Sequence, residues 1–338
     1  MSSDRAVGAI EVLVRLEVQV GRAGQVCRLS DRGGARCAAD GELACRRAAE
    51  ATSSLLSMKH RPFGSTAVRV PIIGQGTWNF EQVRRQDAVE TLRRGLDAGM
   101  AHIDTAEMYG SGAVEEIVGQ ALLGRRGGVF LASKLLPSNA SRAGTIAACE
   151  RSLRRLKTDW LDLYLVHWPG SFPLEDTLQA FDELHQRGLI RAFGVSNFDV
   201  GELTRAVAIA GEGRIACNQV LYHLEERAIE HEVMPWCERH RIAVVGYSPF
   251  GSGNFPNPSS DFGRVLSDIA RAHRATPRQV ALRFLVRDEN VFAIPMTSRP
   301  EHAAENAAAA GLRLTAEEVR RIDAAFPCGA RRRGVPML

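Results

Sequence analysis

From residue 102 onward, short apolar runs that end in a polar side chain recur along the chain. The endings are Asp104, Lys134, His167, Asn197, Gln219, Tyr247 and Thr297, separated by 30, 33, 30, 22, 28 and 50 residues. A closed barrel of eight β/α units in ~250 residues has about 31 residues per unit. The runs predict strands over 102–106, 129–134, 161–167, 192–197, 215–220, 243–249 and 291–296. Segments near 84–98, 114–123, 142–157, 174–187, 200–209 and 229–240 carry the apolar period of amphipathic helices. Short strands separated by helix-length segments pair in parallel through crossovers. An earlier strand is expected to end at Gly74-Gln75-Gly76-Thr77-Trp78, led in by a short hairpin over Arg69–Gly76 after Gly64-Ser65. One face of a parallel α/β barrel would then carry all the polar endings.

The gap before Thr297 holds a long loop as well as a helix. Gly251–Phe262, rich in Gly, Ser, Pro and Asn, reads as that loop, while Thr276-Pro277-Arg278-Gln279 gives an N-cap, a proline at the first helical position and a capping-box Gln. Thr315-Ala316-Glu317-Glu318 repeats the signature, with Val319, Ile322 and Phe326 on the apolar face of an extra C-terminal helix. Residues 1–57 differ from the rest, with no Lys, Trp or Phe. Ile10, Val12, Val14, Leu16, Val18 and Val20 alternate as in a strand, interrupted by Leu13. A lone strand without a partner is unstable, so this extension is expected to be disordered or loosely packed; an edge strand or partner-binding arm is the sharper alternative. The domain proper is expected over 58–338.

Composition adds bounds and no chemistry. A 45% hydrophobic and 24% charged chain of 338 residues suits a globular protein with a substantial core. Net charge is +4 with arginines scattered, so no nucleic-acid surface is expected, and Arg331-Arg332-Arg333 reads as a solvated tail. The seven cysteines form no CxxC pair or zinc spacing and read as reduced thiols of the cytoplasm. No apolar run is long enough to span a bilayer, so no membrane association is expected.

Four of the polar groups suggest proton chemistry. Lys134 ends the apolar run Val129–Ser133, where an ammonium must emerge at the rim or be paired. Asp104, at the end of the neighbouring strand, is the candidate partner, and the two alone would pass for a structural ion pair. Tyr109 follows five residues after Asp104, and His167 closes Leu161–Val166. A phenol of ordinary pKa ~10 is a poor donor near neutrality. A neighbouring ammonium is expected to lower that pKa, with the carboxylate holding the ammonium in place. His102 and His223 read as structural.

These motifs place the chain in a recognisable context. From about 58 to 328 it resembles the aldo-keto reductases, through Gly99-Met-Ala-His-Ile-Asp104-Thr-Ala-Glu-Met-Tyr109, Ser133-Lys134, Leu163-Tyr-Leu-Val-His167-Trp168, Phe193-Gly-Val-Ser-Asn197-Phe198, Asn218-Gln219-Val220 and Tyr247-Ser248-Pro249. Within the family it is most similar to bacterial methylglyoxal-reductase-like members. The resemblance implies a (β/α)8 TIM barrel, a catalytic tetrad of Asp104, Tyr109, Lys134 and His167, and a monomer. It implies reduction of small aldehydes and ketoaldehydes by hydride from a nicotinamide cofactor, with Tyr109 as proton donor and no metal.

The resemblance also implies the cofactor cradle. Ser196, Asn197 and Gln219 would hold the carboxamide and Tyr247 would stack on the ring, with Gly76, Thr77, Ser248 and Phe250 alongside. Trp78 and Trp168 would wall the substrate pocket, and the C-terminal tail would border it. Family members selective for the 2′-phosphate often carry Lys after Ile-Pro and Arg six residues later. Met296 and His302 stand there instead, leaving Thr297, Ser298 and Arg299 for a phosphate, and Glu305 and Asn306 for adenine. NADPH is the favoured cofactor, NADH the alternative. No GxGxxG follows a strand and opens a helix, which argues against a Rossmann domain. A different class of function, a cofactor-binding redox-sensing module with little turnover, would use the N-terminal extension.

Overall fold

Seven parallel pairings join eight short strands in chain order. The computed structural model describes residues 58–338, so the strand pattern at 10–20 and three of the cysteines lie outside the described residues. A two-stranded antiparallel hairpin comes first, β1 (His60–Pro62) with β2 (Arg69–Pro71). The barrel strands are β3 (Gln75–Gly76), β4 (His102–Asp104), β5 (Phe130–Leu135), β6 (Leu163–Val166), β7 (Phe193–Ser196), β8 (Ile215–Leu221), β9 (Ala243–Tyr247) and β10 (Val291–Ile294). Backbone bonds Gly74 N to Ala293 O (2.8 Å), Ala293 N to Ile72 O (3.0 Å) and Gly76 N to Pro295 O (3.1 Å) close the cylinder between β10 and β3. The expected α/β barrel is therefore present; Asp104, Lys134, Gln219 and Tyr247 stand at or near the ends of β4, β5, β8 and β9, while His167 and Asn197 follow β6 and β7 directly.

Ten helices cross between strands or follow them among the described residues: α1 (Arg85–Asp97), α2 (Ala113–Ala121), α3 (Arg142–Leu156), α4 (Leu174–Gln186), α5 (Val200–Ala210), α6 (Val233–Arg239), α7 (Asp261–His273), α8 (Pro277–Leu285), α9 (Pro300–Ala308) and α10 (Ala316–Ala325). Capping boxes at Thr276 and Thr315 open α8 and α10 as their sequences require, and Asp199 opens α5 the same way. Ile322 of α10 and Phe326 at its C-cap are buried. The hairpin differs from expectation. Its second strand ends at Pro71, and the turn at Gly64-Ser65 lies inside it. Gly64 sits at φ +56°, and a Cβ there would lie 2.2 Å from the Ala216 carbonyl oxygen, so only glycine fits this contact of hairpin and barrel. Helix α7 was not foreseen. Its cap Ser260 accepts from Gly263 N, and a glycine in the first turn hides a helix whose Leu266, Ile269 and Ala270 are buried.

Two apolar layers follow from strand alternation. Phe130, Ala132, Leu163, Leu165, Cys217, Ala243, Val245, Phe292 and Ile294 cluster with Phe63 and Val70 of the hairpin region. Their alternates, including Ile103, Leu131, Tyr164, Val166, Val195 and Val244, pack against the helices. Phe63, with rings of Phe130 and Phe292 at 4.9 and 5.0 Å, plugs the cylinder. Two residues further along each inner row stand Asp104, Lys134, His167, Gln219 and Tyr247, so continuing the inward alternation delivers the polar groups to the opposite end.

His102 belongs to the inner row, fully buried beside Phe63 and Phe130, with neither ring nitrogen hydrogen-bonded. Burial pushes its pKa down to about 4. It is a neutral core residue, as its sequence context suggests.

Two outcomes follow. Phe63→Ala should destabilise the fold by about 3–5 kcal/mol in urea unfolding; a loss below ~1 kcal/mol would show that the hairpin does not plug the barrel. Below an unfolded imidazole pKa near 6.5, the unfolded chain binds a proton that His102 refuses until about pH 4. Stability should therefore fall with falling pH across this window, by about 3 kcal/mol from this group. Urea midpoints of His102→Gln should show a shallower dependence by one proton's worth.

Candidate active site

Lys134 is fully buried at the end of β5, where an isolated ammonium would be prohibitive. Its Nζ donates to Asp104 Oδ1 at 2.5 Å and to the Thr105 carbonyl at 2.9 Å, and lies 3.4 Å from the Tyr109 hydroxyl oxygen. Asp104 Oδ2 accepts from Gln219 Nε2 at 2.8 Å, and the Asp104 carbonyl from Thr77 Oγ1 at 2.9 Å. The carboxylate is thus shared between an ammonium and an amide. Burial opposes the Lys134 charge, but Asp104 and Tyr109 outweigh it and its pKa ends above the ordinary value.

Tyr109 reaches this pair from a tight turn, not from a strand. Glu107 holds that turn: its N–H donates to the Lys134 carbonyl at 3.1 Å, while Oε1 accepts from Leu136 N and Asn139 Nδ2, both at 2.7 Å. Gly110 and Ser111, at φ 55° and 53°, then turn the chain into α2. The loops after β4 and β5 are stapled together by a buried carboxylate. Nothing in the sequence spacing exposed that role of Glu107.

The expected lowering of the Tyr109 pKa is corrected by this geometry. Burial is the largest influence and raises it; the Lys134 ammonium lowers it only in part, and Asp104 raises it again. The phenol is therefore fully protonated at neutral pH.

His167 closes β6, its N–H bonded to the Leu135 carbonyl and its own carbonyl accepting from Asn197 Nδ2, both at 3.0 Å. Its ring stands edge-on to Tyr109 at 5.8 Å and against Trp168 at 4.9 Å. Nδ1 is buried without a partner among the described residues, and burial followed by the Lys134 charge pushes the pKa down to about 2. The imidazole is neutral across the physiological range.

Asn197 adopts φ 62°, a left-handed conformation that asparagine tolerates better than most residues. There its Nδ2 also meets Ser196 Oγ at 3.1 Å, and its Oδ1 accepts from the Tyr247 hydroxyl at 3.0 Å. Ser196 Oγ donates to the Gln219 carbonyl at 2.9 Å. A cleft with about 800 Å³ of open volume lies above these groups. The structure brings Gly76, Thr77, Trp78, Asp104, Tyr109, His167, Trp168, Ser196, Asn197, Gln219, Tyr247 and Ser248 to its walls. Met108, Ile294, Met296, Met337 and Leu338 complete them, so the tail does border the cleft.

Phe250, Thr297, Ser298, Arg299, His302, Glu305 and Asn306 do not line it. They sit on the loop after β9, the loop after β10 and helix α9. Arg299 and His302 are exposed, and Arg299 N–H donates to Thr297 Oγ1 at 3.2 Å. Asn306 is buried, and its Nδ2 has no partner among the described residues. A buried donor without a partner among the described residues, on the helix that follows the half-buried hydroxyls of Thr297 and Ser298 and exposed Arg299, suits the polar end of an extended anionic ligand whose other end lies in the cleft.

The barrel is shared with proteins of known structure. The Aldo/keto reductase family model matches residues 72–326, and the chain belongs to that family of oxidoreductases. It is 42% identical over 262 residues to methylglyoxal reductase YeaE of Escherichia coli, covering 77% of this chain and 92% of that protein. The 9,11-endoperoxide prostaglandin H2 reductase of Trypanosoma cruzi is 34% identical, with 76% and 88% covered. An aldo/keto reductase of Klebsiella pneumoniae, crystallised with NADP and acetate, superposes with a TM-score of 0.77 at 41% identity, covering 83% of this chain and all of that one.

All four tyrosines, Tyr109, Tyr164, Tyr222 and Tyr247, have their pKa raised by burial. No tyrosinate absorbance should therefore appear in the folded protein below pH ~10. In protein carrying ¹³C-tyrosine, Lys134→Met should move the Tyr109 transition to higher pH, since it removes the lowering charge. A downward shift would contradict the contact.

Proposed function

We propose that the protein reduces small aldehydes and ketoaldehydes such as methylglyoxal to alcohols, with NADPH as the preferred reductant. The observation that carries this reading is the buried series Asp104, Lys134, Tyr109, which ends on a protonated phenol at the cleft wall beside neutral His167. The similarity to a methylglyoxal reductase and to NADP-bound neighbours supports the substrate and the cofactor.

The fit of the chain to the dinucleotide has two parts. At the cleft, Ser196, Asn197 and Gln219 would hold a carboxamide through their amide and hydroxyl groups, and Tyr247, in the same wall, would stack on the ring. Beyond it, Thr297, Ser298 and Arg299 would take the 2′-phosphate and Asn306 the adenine, with His302, Glu305 and Phe250 around them. When bound, the reduced nicotinamide supplies the hydride.

The chain's own residues handle the oxygen. As the carbonyl π bond breaks, charge gathers on oxygen, and Tyr109 delivers the phenolic proton there. Lys134 stabilises the phenolate left behind, and Asp104 holds the ammonium in place through the change. With Nδ1 buried and unpartnered, His167 carries its proton on Nε2 and donates that hydrogen bond to the carbonyl oxygen. Trp78, Trp168 and Met108 would give the substrate an apolar wall to pack against. Residues 58–338 act as one catalytic domain, in a monomeric cytoplasmic enzyme.

Purified protein should oxidise NADPH in the presence of methylglyoxal, and NADH less efficiently. Tyr109→Phe should lower kcat by about 10²–10⁴ while leaving dinucleotide affinity near normal. Near-normal turnover in that variant would overturn the assignment. Tight dinucleotide binding with no turnover on any aldehyde would favour the regulatory module instead.

A further inference from the structure

Gln219 reaches across the cleft floor to a residue 115 positions earlier in the chain. Its main-chain carbonyl is held from β7 by Asn197 N at 2.8 Å and Ser196 Oγ at 2.9 Å, and its side chain is almost wholly buried. The amide could in principle stand in either of two orientations. Asp104 removes that freedom: paired to Lys134 it is a carboxylate, which only accepts hydrogen bonds. Were the amide reversed, Gln219 Oε1 would meet Asp104 Oδ2 with no hydrogen between them.

Nε2 therefore faces Asp104 at 2.8 Å, and Oε1, which takes no hydrogen bond from the described residues, faces the cleft. The neighbouring amide is committed as well, since Asn197 Nδ2 serves the His167 carbonyl and Ser196 Oγ while Oδ1 serves Tyr247. Of the two amides, Gln219 is the one with an unused acceptor.

We propose that Asp104, by fixing the Gln219 amide, makes the cleft select a ring substituent that bears an N–H donor, so that one carboxylate orders both the proton-donating side and the cofactor-holding side of the site. This rests on the dinucleotide reading above. Asp104 is in this respect a positioning residue, acting on the cofactor through Gln219. Replacing the carboxylate by a neutral amide frees Gln219 to present either end.

The test measures binding, independently of turnover. Quenching of tryptophan fluorescence, with Trp78 and Trp168 in the cleft wall, reports dissociation constants for NADP and for the analogue with 3-acetylpyridine in place of nicotinamide. That analogue keeps the carbonyl and lacks the N–H. Wild type should bind it about tenfold or more weakly, because Oε1 loses its donor. In Asp104→Asn the ratio should collapse to within about threefold, since Gln219 can turn Nε2 to the acetyl oxygen.

Retention of the wild-type ratio in Asp104→Asn overturns the proposal and leaves the dinucleotide reading standing. Equal affinities in wild type overturn it at the Gln219 contact. Failure of wild type to bind either dinucleotide overturns the functional reading itself. Should Asp104→Asn not fold, Gln219→Met, of similar volume, is expected to bind both dinucleotides alike, and a full tenfold ratio there (~1.4 kcal/mol) overturns the proposal.

Discussion

An ammonium inside a β-barrel is the constraint around which the site is organised. Lys134 stands on the inward-facing row of β5, two residues beyond Ala132 in an apolar cylinder, and is wholly removed from water. Such a charge persists only with excellent geometry and further hydrogen bonds around the pair. Asp104, the Thr105 carbonyl and the Tyr109 oxygen supply them. Because one carboxylate oxygen is taken by the ammonium, the other is left to order Gln219. Because the Lys134 carbonyl anchors Glu107, the turn bearing Tyr109 is tied to the same strand end.

The protonation states follow from this arrangement. Burial holds Tyr109 and His167 in their neutral forms, one by raising a pKa and the other by lowering it. Among the described side chains at the cleft floor, the formal charges are then the two members of the ion pair, which nearly cancel. A site of this kind presents polar groups of fixed direction and little net field, suited to a neutral carbonyl whose charge develops only during reaction.

Much of the barrel was legible because its signal is periodic. Each inner row continues to a polar terminus, so the spacing of Asp104, Lys134, His167, Gln219 and Tyr247 carried both strand order and convergence. Helices α8 and α10 announced themselves through Thr276 and Thr315. Helix α7 did not, since Gly263 occupies the capping-box position, and α9 is an alanine-rich segment with little apolar contrast. Properties that depend on three-dimensional burial were beyond reach. The direction of the Tyr109 shift depends on how far desolvation outweighs one ammonium, and the staple at Glu107 joins loops whose approach no spacing encodes. The bond from Gln219 to Asp104 likewise spans four strands of the sheet order.

The closure of the cylinder has a dynamic consequence. Strand β3 contributes two residues, and three backbone bonds join its side of the seam to β10, where the β8–β9 ladder registers five residue pairs. On its other side β3 registers only two residue pairs with β4, so local opening, which requires breaking the bonds along one line, meets the fewest of them beside this strand. Thr77 and Trp78 continue directly from β3 into the cleft wall. Any loosening of β3 is therefore felt first at Thr77 and Trp78 in the cleft wall, while the ion pair between β4 and β5 stays held by its own bonds.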